Sequence, residues 1–243
     1  MKGMSKDIRG VLLDFGGTIV EELPDDMDSV LLNLFIGRGL VRGNRPMKRE
    51  NFSRTYWLEH YASLPRGKRW TIEIRTDCNL ALMNHLGLVG ERERVASETA
   101  EMDNWFNIRS TFPDVLPTLK TLREMGFKLG VVSQSLHTSE ELGEELVARG
   151  IAGFFDVVVT SESTGIDKPD PGIYLDAISR LKTRAEETCH VGDNMEKDAN
   201  GAIGAGLIGI LIDRNSKAEA PQGVIVIRSL TELPGLVRSK AIR

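Results

Sequence analysis

Apolar residues along this chain fall into short runs separated by stretches of helical period. The runs are Val11–Leu13, Leu129–Val132, Val157–Thr160, Cys189–Val191, Ile208–Ile212 and Val224–Ile227, with Gly130, Thr160, His190 and Gly209 as their only other residues. Nearly continuous apolar runs of this length predict strands buried on both faces, as in a parallel sheet. Between them lie predicted helices: Val115, Leu116, Leu119, Leu122 and Met125 on one face, closed by Gly126; a segment opened by Thr138 and Glu141 as a capping box; and Ile173, Tyr174, Ala177, Ile178 and Leu181. A loop is predicted over Ser161–Asp170, a small-residue helix around Gly201–Gly206 and a short amphipathic helix near Leu230–Val237. The alternation specifies an α/β fold, a doubly wound parallel-sheet (Rossmann-like) core with helices on both faces. Right-handed crossovers then bring the carboxyl ends of all its strands to one edge.

The pattern changes between residues 19 and 111, where helices are predicted with little strand signal. Pro24, Asp25 and Asp26 open a helix closed by Gly37; a second runs from Pro46 to about Leu64, a third from Thr71 to Leu86 and a fourth from Glu91 to about Phe106. The expected domains are therefore a core of residues 1–18 and 112–243 and an inserted all-helical cap of residues 19–111, lying over the carboxyl-end rim.

Composition adds bounds. With 243 residues, 41% hydrophobic content and a net charge of −4, the chain reads as an ordinary soluble globular protein. Two distant cysteines, Cys78 and Cys189, give no disulfide framework, and no apolar run is long enough to span a bilayer. A cytoplasmic setting is expected, without membrane or nucleic-acid partners; oligomeric state is not readable. Between Arg38 and Arg75 there are ten Lys or Arg against three Asp or Glu, a local +7 interleaved with aromatics. This reads as solvated basic helix faces, with attraction of an anionic substrate as the functional alternative.

The predicted rim brings chemistry together. Asp14 ends the first strand and is followed by Gly16, Gly17 and Thr18; Ser133 ends the second; Lys168 lies in the long loop; Asp193 and Asp198 follow the fourth. Clustered carboxylates repel unless a cation neutralises them, and a hard-oxygen set with open positions suits Mg²⁺. A lysine and a hydroxyl beside them suit phosphoryl oxygens, and an aspartate held against such a group can act as a nucleophile, forming an aspartyl-phosphate.

The motifs Asp14-Phe15-Gly16-Gly17-Thr18, Ser133, Lys168-Pro169-Asp170-Pro171-Gly172-Ile173-Tyr174 and Val191-Gly192-Asp193-Asn194-Met195-Glu196-Lys197-Asp198 occur in an order that resembles the haloacid dehalogenase-like hydrolase superfamily. The resemblance implies that Asp14 is the nucleophile and that Ser133 and Lys168 bind the transferring phosphoryl group, with Gly17, Thr18 and Gln134 as further phosphate-binding residues. It implies Mg²⁺ held directly or through water by Asp14, Asp193, Asp198 and the Gly16 carbonyl. The expected activity is hydrolysis of a small phosphorylated metabolite.

Gly16 departs from the pattern, because most phosphatases of this superfamily carry there a second aspartate that protonates the leaving oxygen. Glu21, Glu22, His60 and His85 are possible substitutes, each more simply read as a surface carboxylate or a packed imidazole. Phosphonatase-like C–P cleavage with Lys48 or Lys68, phosphoryl transfer, and a low-activity sensor of a phosphorylated ligand stay open as alternatives. Retention of Gly192-Asp193 counts against dehalogenation. No dinucleotide fingerprint, GxxxxGK[ST] loop, zinc spacing or GxSxG elbow is present.

Overall fold

The computed structural model describes residues 7–22, 27–43, 63–66, 71–101, 109–215 and 224–239. The chain divides into two compact units, residues 1–21 with 110–243, and residues 22–109.

The first strand, β1 (Gly10–Leu13), has all four residues buried. Its side chains alternate between two cores: Val11 and Leu13 join one, and Leu12 the other. This is the period-2 signature of a strand covered on both sides.

In the second unit the described elements are the helix Met27–Gly37, strand β2 (Val41–Arg42), the helix Ile72–His85, strand β3 (Leu88–Val89) and the helix Arg92–Glu101. Thr71 caps the second of these helices by accepting from the Ile74 amide, and the Asn79 amide group donates to the Ala96 carbonyl at 3.1 Å. β2 and β3 pair antiparallel over two residues, Val41 with Val89 and Arg42 with Leu88. The sequence carries little strand signal here, because two residues are too few to display alternation. Several predicted features fall outside the described residues: the helix start at Pro24–Asp26, nearly all of the Pro46–Leu64 helix, the three tryptophans, His60, Lys48 and Lys68.

The first unit resumes with the helix Val115–Glu124, then β4 (Lys128–Ser133), the helix Ser139–Ala148 and β5 (Val157–Thr160). A one-turn helix, Ser161–Thr164, occupies the start of the segment expected to be loop. Thr160 nucleates it by accepting from the Ser163 amide, and Gly165 ends it in the left-handed region. The helix Pro171–Leu181, β6 (Thr188–Gly192), β7 (Ile208–Ile212), β8 (Ile225–Ile227) and the helix Leu233–Arg238 follow. The small-residue helix is shorter than expected. It covers Gly201–Gly204 and is preceded by a wide π-type turn, Met195–Asn200.

The six strands form one parallel sheet in the order β5-β4-β1-β6-β7-β8. β1 is central, and the winding direction reverses beside it, between β1 and β6. That reversal opens the crevice at which ligands bind in open α/β sheets. Leu13 stands opposite Val131 on one side and Val191 on the other, so the segments that leave β1, β4 and β6 emerge level with one another.

Candidate active site

Asp14 follows β1 directly, its amide still donating to the Val191 carbonyl at 2.8 Å, so the aspartate is locked to the edge of the sheet. The residue is 8% exposed, and its carboxylate meets the Lys168 ammonium at 2.6 Å. The same ammonium lies 2.7 Å from Oδ1 of Asp198, which is 2% exposed. Asp193, just past β6, is exposed, and one oxygen from each of Asp14, Asp193 and Asp198 lies within 4.8 Å of the others.

Local backbone chemistry sets these positions. The Asn194 side chain accepts from the Glu196 and Lys197 amides, at 3.1 and 2.9 Å, and opens the wide turn that carries Asp198 inward. Asp198 Oδ2 then accepts from the Asn194 amide at 2.9 Å. Two glycines leave room for the carboxylates. A Cβ on Gly192 would overlap the Asp198 carboxylate, and one on Gly17, which has φ +70°, would overlap that of Asp193. The motif glycines are thus required by close approach to acidic side chains as well as by turn geometry.

Burial and charge act on each group. Burial pushes the Asp14 carboxyl up to about 6, against the pull of Lys168. Burial also disfavours the Lys168 ammonium, but attraction by Asp14 and Asp198 outweighs it and raises its pKa. For Asp198 the hydrogen bond from His190 and the Lys168 charge overcome burial and hold it far below the usual carboxylate range. At neutral pH three carboxylates and one ammonium leave a net charge of −2. Such a cluster of hard oxygens, two of them beside glycines that clear the space, fits one divalent cation of the Mg²⁺ type.

Ser133 is buried at the carboxyl end of β4, two residues beyond the partner of Leu13, and Gln134 beside it is exposed. Thr18 is fully buried and its hydroxyl has no hydrogen-bond partner among the described residues. Gly16 carries no side chain. Of the suggested substitutes, Glu21 accepts from the Ser110 amide, Glu22 is exposed, His85 ends the helix Ile72–His85, and His60 lies outside the described residues.

His190 lies within the predicted strand Cys189–Val191 and is not among the residues that the sequence singles out. It is fully buried, and its Nε2 lies 3.1 Å from Asp198 Oδ1. Burial and Lys168 push its pKa down to about 4, so the neutral ring donates Nε2–H to the carboxylate. The edge of the Tyr174 ring packs against the imidazole at 5.1 Å between centroids, and the Tyr174 hydroxyl donates to the Lys197 carbonyl. The available signal was period 2: His190 shares a strand face with Gly192, whose missing side chain makes space for Asp198.

A hydrolase family model described as haloacid dehalogenase-like hydrolase matches residues 8–206. The glyceraldehyde 3-phosphate phosphatase of Methanopyrus kandleri is 42% identical over 134 residues, 55% of this chain and 57% of that protein. The ribulose-1,5-bisphosphate 5-phosphatase of Halopiger xanaduensis is 32% identical over 142 residues, 58% of this chain and 59% of its own. The chain thus spans a little over half the length of these curated relatives. The crystal structure of a HAD phosphatase from Thermococcus onnurineus superposes with a TM-score of 0.61 at 25% identity, covering 95% of this chain and 98% of that one. Among the described residues, no helix is long and apolar enough to cross a membrane.

Proposed function

We propose that this chain, which belongs to the haloacid dehalogenase-like hydrolase family, is a Mg²⁺-dependent phosphatase of a small phosphorylated metabolite. The observation that carries the reading is Lys168, which bridges Asp14 and Asp198 beside a third carboxylate, Asp193. A buried nucleophile, a fixed cation and an acidic cluster of net −2 are what in-line phosphoryl transfer needs. Relatives named as phosphatases support the same reaction class.

In the proposed first step the Asp14 carboxylate attacks phosphorus as the bond to the leaving oxygen breaks, forming an aspartyl-phosphate. The departing oxygen takes a proton from solvent, since Gly16 offers none. Lys168 and the Ser133 hydroxyl hold the phosphoryl oxygens, with Gly17, Thr18 and Gln134 lining the same group. Water then attacks phosphorus, the bond to Asp14 breaks, and inorganic phosphate leaves. Mg²⁺, held by Asp14, Asp193 and the Gly16 carbonyl, would neutralise the charge between carboxylate and phosphate. Asp198 already accepts from Lys168, His190 and the Asn194 amide. It therefore suits holding Lys168 and a metal-bound water better than direct ligation.

The test is release of nitrophenol from p-nitrophenyl phosphate. Turnover that requires Mg²⁺ and disappears in Asp14→Asn is expected; turnover that survives in Asp14→Asn overturns the mechanism. Gly16 favours a second reading, a sensor that binds a phosphorylated ligand and barely turns it over. Phosphate binding without hydrolysis across a broad ester panel would select it.

A further inference from the structure

Beyond the carboxylate cluster, one partly buried ion pair joins four separate parts of the first unit. Arg214, just past β7, forks onto Asp114 at 2.8 and 3.1 Å, and the two side chains are 14% and 12% exposed. Its guanidinium lies 3.8 Å from the centroid of the Phe112 ring. Asp114 also accepts from the Ser229 hydroxyl at 2.8 Å and the Leu230 amide at 2.9 Å. These bonds, with Arg214, hold its carboxylate below the usual range despite burial.

The remaining reach of Arg214 is toward the site. Its Nη2 donates to the carbonyl of Thr18 at 2.8 Å. Thr18 follows Gly17, where a Cβ would overlap the Asp193 carboxylate, and the buried Thr18 hydroxyl has no partner among the described residues. The backbone of residues 17 and 18 is thus hemmed in by Asp193 and pinned by Arg214. From this geometry we infer that Arg214, oriented by Asp114, is a positioning residue for the phosphoryl-binding backbone of Gly17 and Thr18. A lysine cannot reproduce the arrangement, because only the planar fork can engage both Asp114 oxygens and still reach Thr18. A displacement on the order of 1 Å at such a cradle costs about a hundredfold in reaction rate.

The inference rests on the proposed phosphoryl site, and its readout is inorganic phosphate binding, with turnover measured in parallel. Calorimetric titration with phosphate in the presence of Mg²⁺ is expected to show affinity at least ~10-fold weaker in Arg214→Ala, about the scale found when a group supporting a site residue is lost. Mg²⁺ affinity should stay within a factor of ~2, and guanidinium ion at low millimolar concentration should restore phosphate binding. Arg214→Lys, which keeps the charge over Phe112, should fall between the two and supplies the result if the alanine variant does not fold. A folded Arg214→Ala or Arg214→Lys that binds phosphate as tightly as the wild type overturns the inference. Wild-type chain that binds phosphate through Arg214 but hydrolyses no ester removes the proposed activity and leaves the inference standing. Undiminished turnover and binding in both variants does the reverse.

Discussion

The Lys168 ammonium lies 2.6 Å from a carboxylate oxygen of Asp14, a residue 154 positions earlier in the chain. With Asp198 at 2.7 Å it forms a buried carboxylate–ammonium–carboxylate bridge. Removing the central charge leaves two buried carboxylates facing each other, which is far costlier than losing the whole set. Lys168→Met is expected to lose about 3–5 kcal/mol in urea denaturation near pH 7.5. Asp14 already has a raised pKa, and without Lys168 it climbs further. A raised carboxylate pKa means that the native state binds more protons, so the variant should recover stability as the pH falls. A variant as stable as the wild type at pH 7.5 would refute this account of the bridge.

Gly17 carries two constraints that can be separated. Its φ of +70° strains any residue with a side chain, and a Cβ would also overlap the Asp193 carboxylate. Gly126, at φ +86°, has the first constraint with nothing within 4 Å of a Cβ. Both Gly→Ala changes should cost about 1–2 kcal/mol of stability. Only Gly17→Ala should also weaken Mg²⁺ binding, by about tenfold or more, as loss of an oriented ligand does. Equal Mg²⁺ affinity in the two variants, by calorimetric titration, would detach Asp193 from the metal site.

His190 gives a pH signature. Its pKa is pushed from 6.5 down to about 4 in the folded chain, so between those values the unfolded state binds more protons. Stability from this residue is therefore present above pH 6.5 and is lost as the pH falls toward 4, by about 3 kcal/mol at 1.36 kcal/mol per unit. His190→Gln should be the less stable protein at pH 7 but should lose less than the wild type between pH 6.5 and 4.5. Stability curves that run parallel across that interval would show that the imidazole is not held neutral by burial.

Gly16 is not among the glycines with positive φ, so its backbone conformation does not bar a side chain. Gly16→Asp would supply the missing proton donor. Positioned acid catalysis contributes about 10²–10⁴-fold, most where the leaving group is poor. Turnover of alkyl phosphates should therefore rise by about tenfold or more, while p-nitrophenyl phosphate, whose leaving group needs little protonation, should change little. A rise of the same size on both substrates would argue against leaving-group protonation as the limiting step.

The sheet was legible because the physics that builds it is local. Val11–Leu13, Val157–Thr160 and Ile208–Ile212 are nearly continuous apolar runs, and a strand buried on both faces needs little else. Crossover handedness then placed Asp14, Ser133, Lys168 and Asp193 on one edge without any knowledge of contacts. The candidate site followed from that edge and from the order of its motifs.

What the one-dimensional pattern left open were pairings between polar side chains distant in the chain. Asp114 stands at the N-cap of the helix Val115–Glu124, yet its carboxylate makes no cap bond and instead meets Arg214, 100 positions away. His190 is one more residue of the strand Cys189–Val191 in the sequence, and the wide turn at Met195–Asn200 carries Asp198 back to its Nε2. Gly17 follows Gly16 in one motif, and only the packed structure shows a neighbouring carboxylate that excludes a side chain at Gly17. Residue type and period determined the strands, their direction and the edge at which the acidic residues gather. Register, turn width and the depth of burial, which depend on the whole chain packing at once, decided which charges touch, and hence which groups hold Asp14, Asp198 and Thr18 in place.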